Sequence, residues 1–143
     1  MAISDISHRR KFLAQGNVYL PHIAVVERII EETPTVRCLH FNFKDEKLRR
    51  EFTFASGQFA EISIFGVGEA PFCLTSSPTR PDHLECAVSQ VGKLSRALHR
   101  LAAGAEIGFR GPYGNSFPLD LLKGKNLVFV GGGIGLAPLR SLI

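Results

Sequence analysis

Apolar and polar positions alternate along most of this chain, with interruptions at glycine, proline and charge. His22-Ile-Ala-Val-Val-Glu-Arg-Ile-Ile30 is rich in β-branched residues and predicts a strand. Glu31 to Pro34 reads as a turn, and Thr35 to Phe43 alternates as a half-buried strand does, so the pair predicts a hairpin. Lys44 to Arg50 is a charged loop or a single helical turn. Gly57 to Phe65 alternates again, and Gly66 and Gly68 flank a connection. Pro71 to Ser77 predicts a further strand, broken by Pro78 to Pro81, and His83 to Gln90 predicts the next. The period then changes: Leu94, Ala97, Leu98 and Leu101 recur at intervals of three and four, the buried face of a short helix. Ala105 to Arg110 returns to strand. Short strands, frequent turns and one helix predict a mainly β domain closed as a small antiparallel barrel.

The last stretch has another character. Asn126-Leu-Val-Phe-Val130 is a continuous apolar run, which predicts a strand buried on both faces. It leads into Gly133-x-Gly135-x-x-Pro138, the opening of a nucleotide-binding α/β unit, with proline tolerated in the first helical turn. Only five residues follow Pro138, whereas a parallel crossover takes a dozen or so. The expected organisation is a tail over 1–20, a barrel over 21–122 and the start of a truncated nucleotide-binding domain over 123–143.

Candidate chemistry gathers first at Gly92-Lys-Leu-Ser95. Gly92 permits close backbone approach, and the first-turn amides of a helix have no partner inside it. With the helix dipole they suit a phosphate or pyrophosphate, to which Ser95 adds a hydroxyl and Lys93 or Arg96 a positive charge. A capped helix with nothing bound is the other reading of the same residues. Gly111-Pro-Tyr-Gly114 reads as a tight turn, closing the barrel or allowing close approach.

Composition narrows the classes. The chain has 143 residues, enough for one domain with a core, and a formal charge of +4. Its only basic cluster is His8-Arg-Arg-Lys11, without the interleaved aromatics of a nucleic-acid reader, so no nucleic-acid or membrane partner is expected. No apolar run reaches membrane-spanning length and the N-terminus lacks a signal-peptide core, which reads as a cytoplasmic protein. Cys38, Cys73 and Cys86 are odd in number and widely spaced, which predicts neither a disulfide framework nor a metal or iron–sulfur site. Cys38 and Cys86 read as buried packing residues. His22, His40, His83 and His99 show no metal spacing and are assigned no chemistry.

Taken in order, Gly57-Gln58, Pro71 to Ser77, Gly92-x-x-Ser95, Gly111-Pro-Tyr-Gly114 and Gly131 to Pro138 resemble the motifs of the ferredoxin–NADP reductase superfamily. Phe65 to Phe72 and Arg110 to Pro118 resemble its branch of FAD- and NAD(P)-binding gamma subunits of cytoplasmic hydrogenases and anaerobic sulfite reductase. The resemblance implies a six-stranded Greek-key barrel with a capping helix, holding FAD along Pro71, Phe72, Cys73, Leu74 and Thr75. It further implies FAD contacts at Gln90, Gly92, Lys93, Leu94, Ser95, Gly111 and Tyr113, and the threshold of an NAD(P) site at Gly133 and Gly135. Phe72 takes the family's aromatic position against the flavin. Cys73 takes the position of a serine near flavin N5, which makes it the implied catalytic residue. Ala70 stands where the family has an arginine for the pyrophosphate.

The implied function is the flavin portion of an NAD(P)H-linked electron-transfer oxidoreductase, passing electrons to a partner redox subunit that carries an iron–sulfur centre. A flavin module that works only when docked on a partner, and a barrel that has lost its flavin, are the alternatives. Residues 127–143, lacking a sheet, are expected to be disordered or to pair with a second chain.

Overall fold

The computed structural model describes residues 17–80 and 82–143; the basic cluster at His8 to Lys11 and Pro81 lie outside them. The strands are β1 (His22–Thr33), β2 (Val36–Phe43), β3 (Phe59–Ile64), β4 (Gly68–Cys73), β5 (Leu84–Ser89) and β6 (Glu106–Tyr113). Three short helices join them, α1 (Glu46–Glu51), α2 (Lys93–Leu98) and α3 (Leu119–Leu122), and a 3-10 helix occupies Gly133–Ser141.

The sheet is six-stranded in the order β4-β3-β6-β1-β2-β5, with antiparallel pairing throughout. Its two edges meet where Leu74 bridges Cys86 and the Thr75 amide donates to the Glu85 carbonyl at 2.9 Å. That contact closes the sheet into the expected barrel and leaves no long free edge. Inward positions follow the strand period: Ala24 and Val26, Leu39 and Phe41, Ala60 and Ile62, Cys86 and Val88, Ile107 and Phe109 are all fully buried. Phe109 is central, with ring centroids of Phe43 and Phe52 at 5.0 and 5.3 Å, both edge-on. Edge-to-face aromatic packing of this kind adds roughly 0.5–1.5 kcal/mol per pair beyond burial.

Several boundaries differ from the sequence reading. β1 runs on through Thr33 and the turn contracts to Pro34 and Thr35, because register shifts after Val26 and Glu31 let the long strand bend without ending. The charged excursion does contain a helical turn, α1, whose N-cap Asp45 accepts from the Leu48 amide at 2.8 Å. β4 begins at Gly68 and ends at Cys73, so the expected strand from Pro71 to Ser77 is displaced toward the N-terminus. Pro71 is tolerated inside it because β4 meets β5 through a single bridge rather than a full ladder.

The largest difference is at the C-terminus. Asn126 to Val130 takes no strand conformation, and Val128 and Val130 are 89% and 88% exposed. A parallel strand exists only by pairing with neighbours in its own sheet, and among the described residues none lies beside it. The segment after it is neither loose nor an α-helix. It winds as a 3-10 helix and docks on β5, where Ser141 is buried and its carbonyl accepts from Ser56 Oγ at 2.5 Å.

Candidate functional site

Residues far apart in sequence meet at one rim of the barrel. β3 lies between β4 and β6, and its register sets Phe59 opposite both Cys73 and Tyr113. Directly opposed residues share a face, so Cys73, Phe59 and Tyr113 form a row across three strands. The Phe59 and Tyr113 rings are 5.9 Å apart. α2 packs on β3 and β4, which carries Gly92 to Ser95 to the same rim.

Strand alternation separates Phe72 from Cys73. Phe72 pairs with the fully buried Ala60 and packs against the core, while Cys73 belongs to the outward row with exposed Pro71. Burial raises the Cys73 thiol above its ordinary range, which keeps it a protonated, weak hydrogen-bond donor at neutral pH. Leu74 is in the core, and its amide donates to the Gln58 carbonyl at 3.0 Å. The buried Gln58 side chain ties the rim together, accepting from the Ala55 amide at 2.8 Å and donating to the Gly114 carbonyl at 3.3 Å. Thr75 is buried, and its hydroxyl has no hydrogen-bond partner.

The Gly92 turn is held from within. Ser95 Oγ accepts from the Val91 and Gly92 amides at 2.9 and 2.7 Å and donates to the Gly92 carbonyl at 3.2 Å. Ser95 is therefore committed to capping the helix, and its hydroxyl is not turned outward toward an anion. Lys93 is exposed and Leu94 half-buried against the core. A side chain at Gly92 would meet nothing closer than Ser95 Oγ at 4.0 Å, so the turn faces open space.

Gly111 is buried with φ +147°, and a Cβ there would lie 3.3 Å from the Ala60 backbone, so glycine is required by both conformation and space. The peptide between Gly111 and Pro112 is cis. Gln90 and Val91 are exposed, with the Gln90 amide bound to the Thr35 carbonyl at 2.9 Å. Gly133 and Gly135 lie on the exposed C-terminal segment, whose docking contacts are with β5 rather than with the rim. A separate hollow lined by Phe43, Phe52, Phe54, Arg49 and Arg80 includes none of the sequence-derived site residues.

A second cluster escaped the sequence reading altogether. Cys38 and His40 share one face of β2, and Glu85 lies directly opposite His40 on β5. Cys38 Sγ is 3.8 Å from Glu85 Oε2, and His40 Nε2 is 3.5 Å from Glu85 Oε1. His83 stacks on His40 with centroids 4.5 Å apart and hydrogen bonds Glu85 Oε1 at 2.7 Å. Arg140 reaches in from the C-terminal 3-10 helix, 3.4 Å from Glu85 Oε2 and 3.6 Å from Glu32 Oε1. Burial first, and the Glu85 charge second, push the Cys38 thiol up to about 11. Burial lowers His40 despite the opposing pull of Glu85, so the ring is held neutral. The two sequence pairs, Cys-x-His and His-x-Glu, are period-two signals on adjacent strands, but only the register joins them.

No family model matches the chain. Curated relatives do: the chain is 40% identical over 127 residues to the sulfhydrogenase 2 subunit gamma of Pyrococcus furiosus, covering 89% of this chain and 44% of that protein. It is 37% identical over 124 residues to a probable dihydroorotate dehydrogenase B (NAD(+)) electron transfer subunit of Methanocaldococcus jannaschii, covering 86% and 42%. The chain thus spans less than half the length of these relatives. Among solved structures, the ferredoxin-NADP+ reductase of Plasmodium falciparum superposes with a TM-score of 0.69 at 20% identity, over 85% of this chain and 51% of that one, a likeness of fold. A cytochrome P450 reductase from Amycolatopsis gives 0.71 at 26% identity, over 85% and 37%.

Proposed function

The chain belongs to the ferredoxin–NADP reductase superfamily, and from that premise we propose that it is the FAD-binding portion of an NAD(P)H-linked electron-transfer oxidoreductase. The observation that carries the reading is the convergence, on one barrel rim, of Cys73 in its row with Phe59 and Tyr113, the Gly92 turn, and the close backbone approach at Gly111. The residues present fit a flavin dinucleotide. Thr75 offers a buried hydroxyl without a partner, Gly92 faces open space, and Lys93 and Arg96 stand exposed on the adjoining helix.

FAD, when bound, supplies hydride exchange with a nicotinamide and electron transfer to a further centre. The chain's own residues position it. The row of Cys73, Phe59 and Tyr113 presents a surface to the ring system, with the Cys73 thiol protonated and available as a weak donor. Backbone amides at Lys93 and Leu94, unpaired within the helix, would hold the phosphates. Ala70 in place of arginine removes a charge-assisted contact, so phosphate recognition falls to neutral donors and to Lys93. A nicotinamide would be the electron donor and an iron–sulfur centre on a partner subunit the acceptor, as the family resemblance implies.

The purified chain tests the reading directly. Retention of flavin absorbance through gel filtration after incubation with FAD, with an anaerobic NADH addition that does not bleach it rapidly, is the expected result. A colourless chain whose melting temperature ignores FAD overturns the assignment and leaves a barrel without a cofactor. Binding that persists unchanged in K93Q, together with a flavin spectrum and potential that C73S leaves unaltered, would show that FAD sits elsewhere on the surface.

A further inference from the structure

The cluster on the outer face of the β2–β5 pair carries an inference independent of flavin. We propose that Cys38, His40 and Glu85 form a binding site for a thiophilic divalent cation of the zinc class, with His83 orienting Glu85 and Arg140 as the competing occupant.

The donor set is the first argument. A thiol sulfur, an imidazole nitrogen and a carboxylate oxygen are the three ligand types that zinc takes, and they lie within 4.8 Å of one another. Zinc–ligand bonds of about 2.0–2.3 Å imply tetrahedral edges of roughly 3.3–3.8 Å. Cys38 Sγ lies 3.8 Å from Glu85 Oε2, at such an edge, and His40 Nε2 lies 3.5 Å from the other oxygen of the same carboxylate. The scaffold is the second argument. All three ligands sit on paired strands, where register rather than loop geometry fixes their spacing.

The third argument is the polar arrangement around them. His40 Nε2 is buried and has no hydrogen-bond partner, an unusual state for a ring nitrogen that faces a carboxylate. His83 holds Glu85 Oε1 at 2.7 Å, the outer-sphere contact that fixes a ligating carboxylate. Arg140 already places a cation here, with Nη1 3.9 Å from Cys38 Sγ and Nη2 3.4 Å from Glu85 Oε2. Those are the atoms a metal would take, so the two occupants exclude each other.

Binding balances in charge and atoms. The Cys38 S–H bond breaks, the proton passes to buffer, and a sulfur–metal bond forms. A dication then meets one thiolate, one carboxylate and a neutral imidazole, with a fourth position open to water. Because Arg140 belongs to the 3-10 helix that docks the C-terminal segment, its displacement loosens that segment from β5.

Cobalt(II) is the probe, since a sulfur-to-cobalt charge-transfer band reports a thiolate ligand directly. Titration of the metal-free chain is expected to raise that band to saturation at one equivalent, release one proton per metal, and reverse on zinc addition. C38S is expected to lose the band and C73S to keep it. H83Q is expected to weaken zinc by about 10–100-fold, as loss of an outer-sphere partner does. R140Q is expected to tighten it by about tenfold, the effect of removing one competing charge-assisted contact. No band at one equivalent in the folded wild type, or a band that persists in C38S, overturns the proposal. Should C38S fail to fold, H40Q decides: zinc affinity unchanged there overturns the site, and a loss of about 100-fold or more sustains it.

Discussion

Ser95 lets the structure and the motif be told apart, because each gives its hydroxyl a different task. In the structure the oxygen faces inward and accepts from two backbone amides, those of Val91 and Gly92, at 2.9 and 2.7 Å. Ser95→Ala removes the one oxygen that accepts both bonds and donates to the Gly92 carbonyl. Val91 is 79% exposed, so water replaces the bond to its amide at little cost. The Gly92 amide is half-buried, and leaving it unpaired costs about 1–3 kcal/mol. Ser95 caps from the third helical position, with Gly92 as N-cap; loss of a capping side chain costs about 0.5–2 kcal/mol, and the two figures describe overlapping events. A total of about 2 kcal/mol follows, a roughly 30-fold rise in the unfolding constant. For a domain of this size that lowers the melting temperature by about 6–10 °C. The flavin-free chain should show the whole loss by calorimetry or circular dichroism, and Ser95→Thr should recover most of it. FAD affinity should change only as far as the loop itself loosens. An unchanged melting temperature together with a collapse of FAD affinity would refute the capping argument and put the hydroxyl on the phosphate.

The remaining predictions concern the barrel and its rim. Phe109→Ala empties a fully buried site among the Phe41, Phe43 and Phe52 rings and should cost about 3–5 kcal/mol in urea unfolding; a loss below about 1 kcal/mol would contradict the packing. Gly111→Ala forces a side chain into φ +147° and to 3.3 Å from the Ala60 backbone, and should lower stability by about 1–3 kcal/mol as read by thermal melting. Arg110 donates to Glu69 at 2.8 and 2.6 Å and depresses its carboxyl below the usual value of 4.5. A depressed folded value means the stabilisation is present above pH 4.5 and is lost as pH falls through the folded value. Stability curves of wild type and Glu69→Gln should therefore differ by under about 1 kcal/mol near neutrality and converge in acid. Phe72→Ala should act mainly on stability, through its core contacts, whereas Cys73→Ser should leave stability nearly unchanged and alter the spectrum or potential of bound flavin; the reverse pattern would refute the alternation along β4.

The barrel was legible because its strands alternate, and alternation is a local signal. Leu39 and Phe41, or Ile107 and Phe109, announce an inward face without reference to any other part of the chain. What failed was local evidence with a non-local cause. Asn126 to Val130 carries the composition of a buried strand, but strand conformation requires a neighbour to pair with, and exposed Val128 and Val130 show the run without one. Pro71 read as a beginning because proline lacks an amide, while the structure uses it where β4 has no ladder to lose on its β5 side. At the rim, the motifs draw attention to Gly92 to Ser95 at the start of α2 and to Gly111 on β6, but neither the inward turn of the Ser95 hydroxyl nor the place of Phe59 between Cys73 and Tyr113 follows from spacing. The Cys38, His40 and Glu85 cluster depends wholly on the β2–β5 register, a pairing between segments some 45 residues apart.

The two clusters sit at the two ways β4 and β5 depart from a continuous sheet. Where β4 ends at Cys73, the chain makes one bridge to β5 and then turns away, which opens the rim to α2 and exposes the row running to Tyr113. On the outer side of the same β5, Glu85 receives His40 from β2 and Arg140 from the C-terminal helix, so that strand faces a core on one side and a charged seam on the other. Glu85 also supplies the carbonyl that fixes Thr75 and the amide held by Ser76 Oγ at 3.2 Å. Thr75 is two residues from Cys73, so any rearrangement of Glu85 by a cation or by withdrawal of Arg140 reaches the flavin strand through two backbone hydrogen bonds rather than through a long chain of contacts. The segment bearing Gly133 and Gly135 is fastened at that same carboxylate by Arg140. A single β5 residue thereby links the Gly133–Gly135 turn to the strand that ends at Cys73, which is a physical reason for this carboxylate to be buried and so heavily bonded.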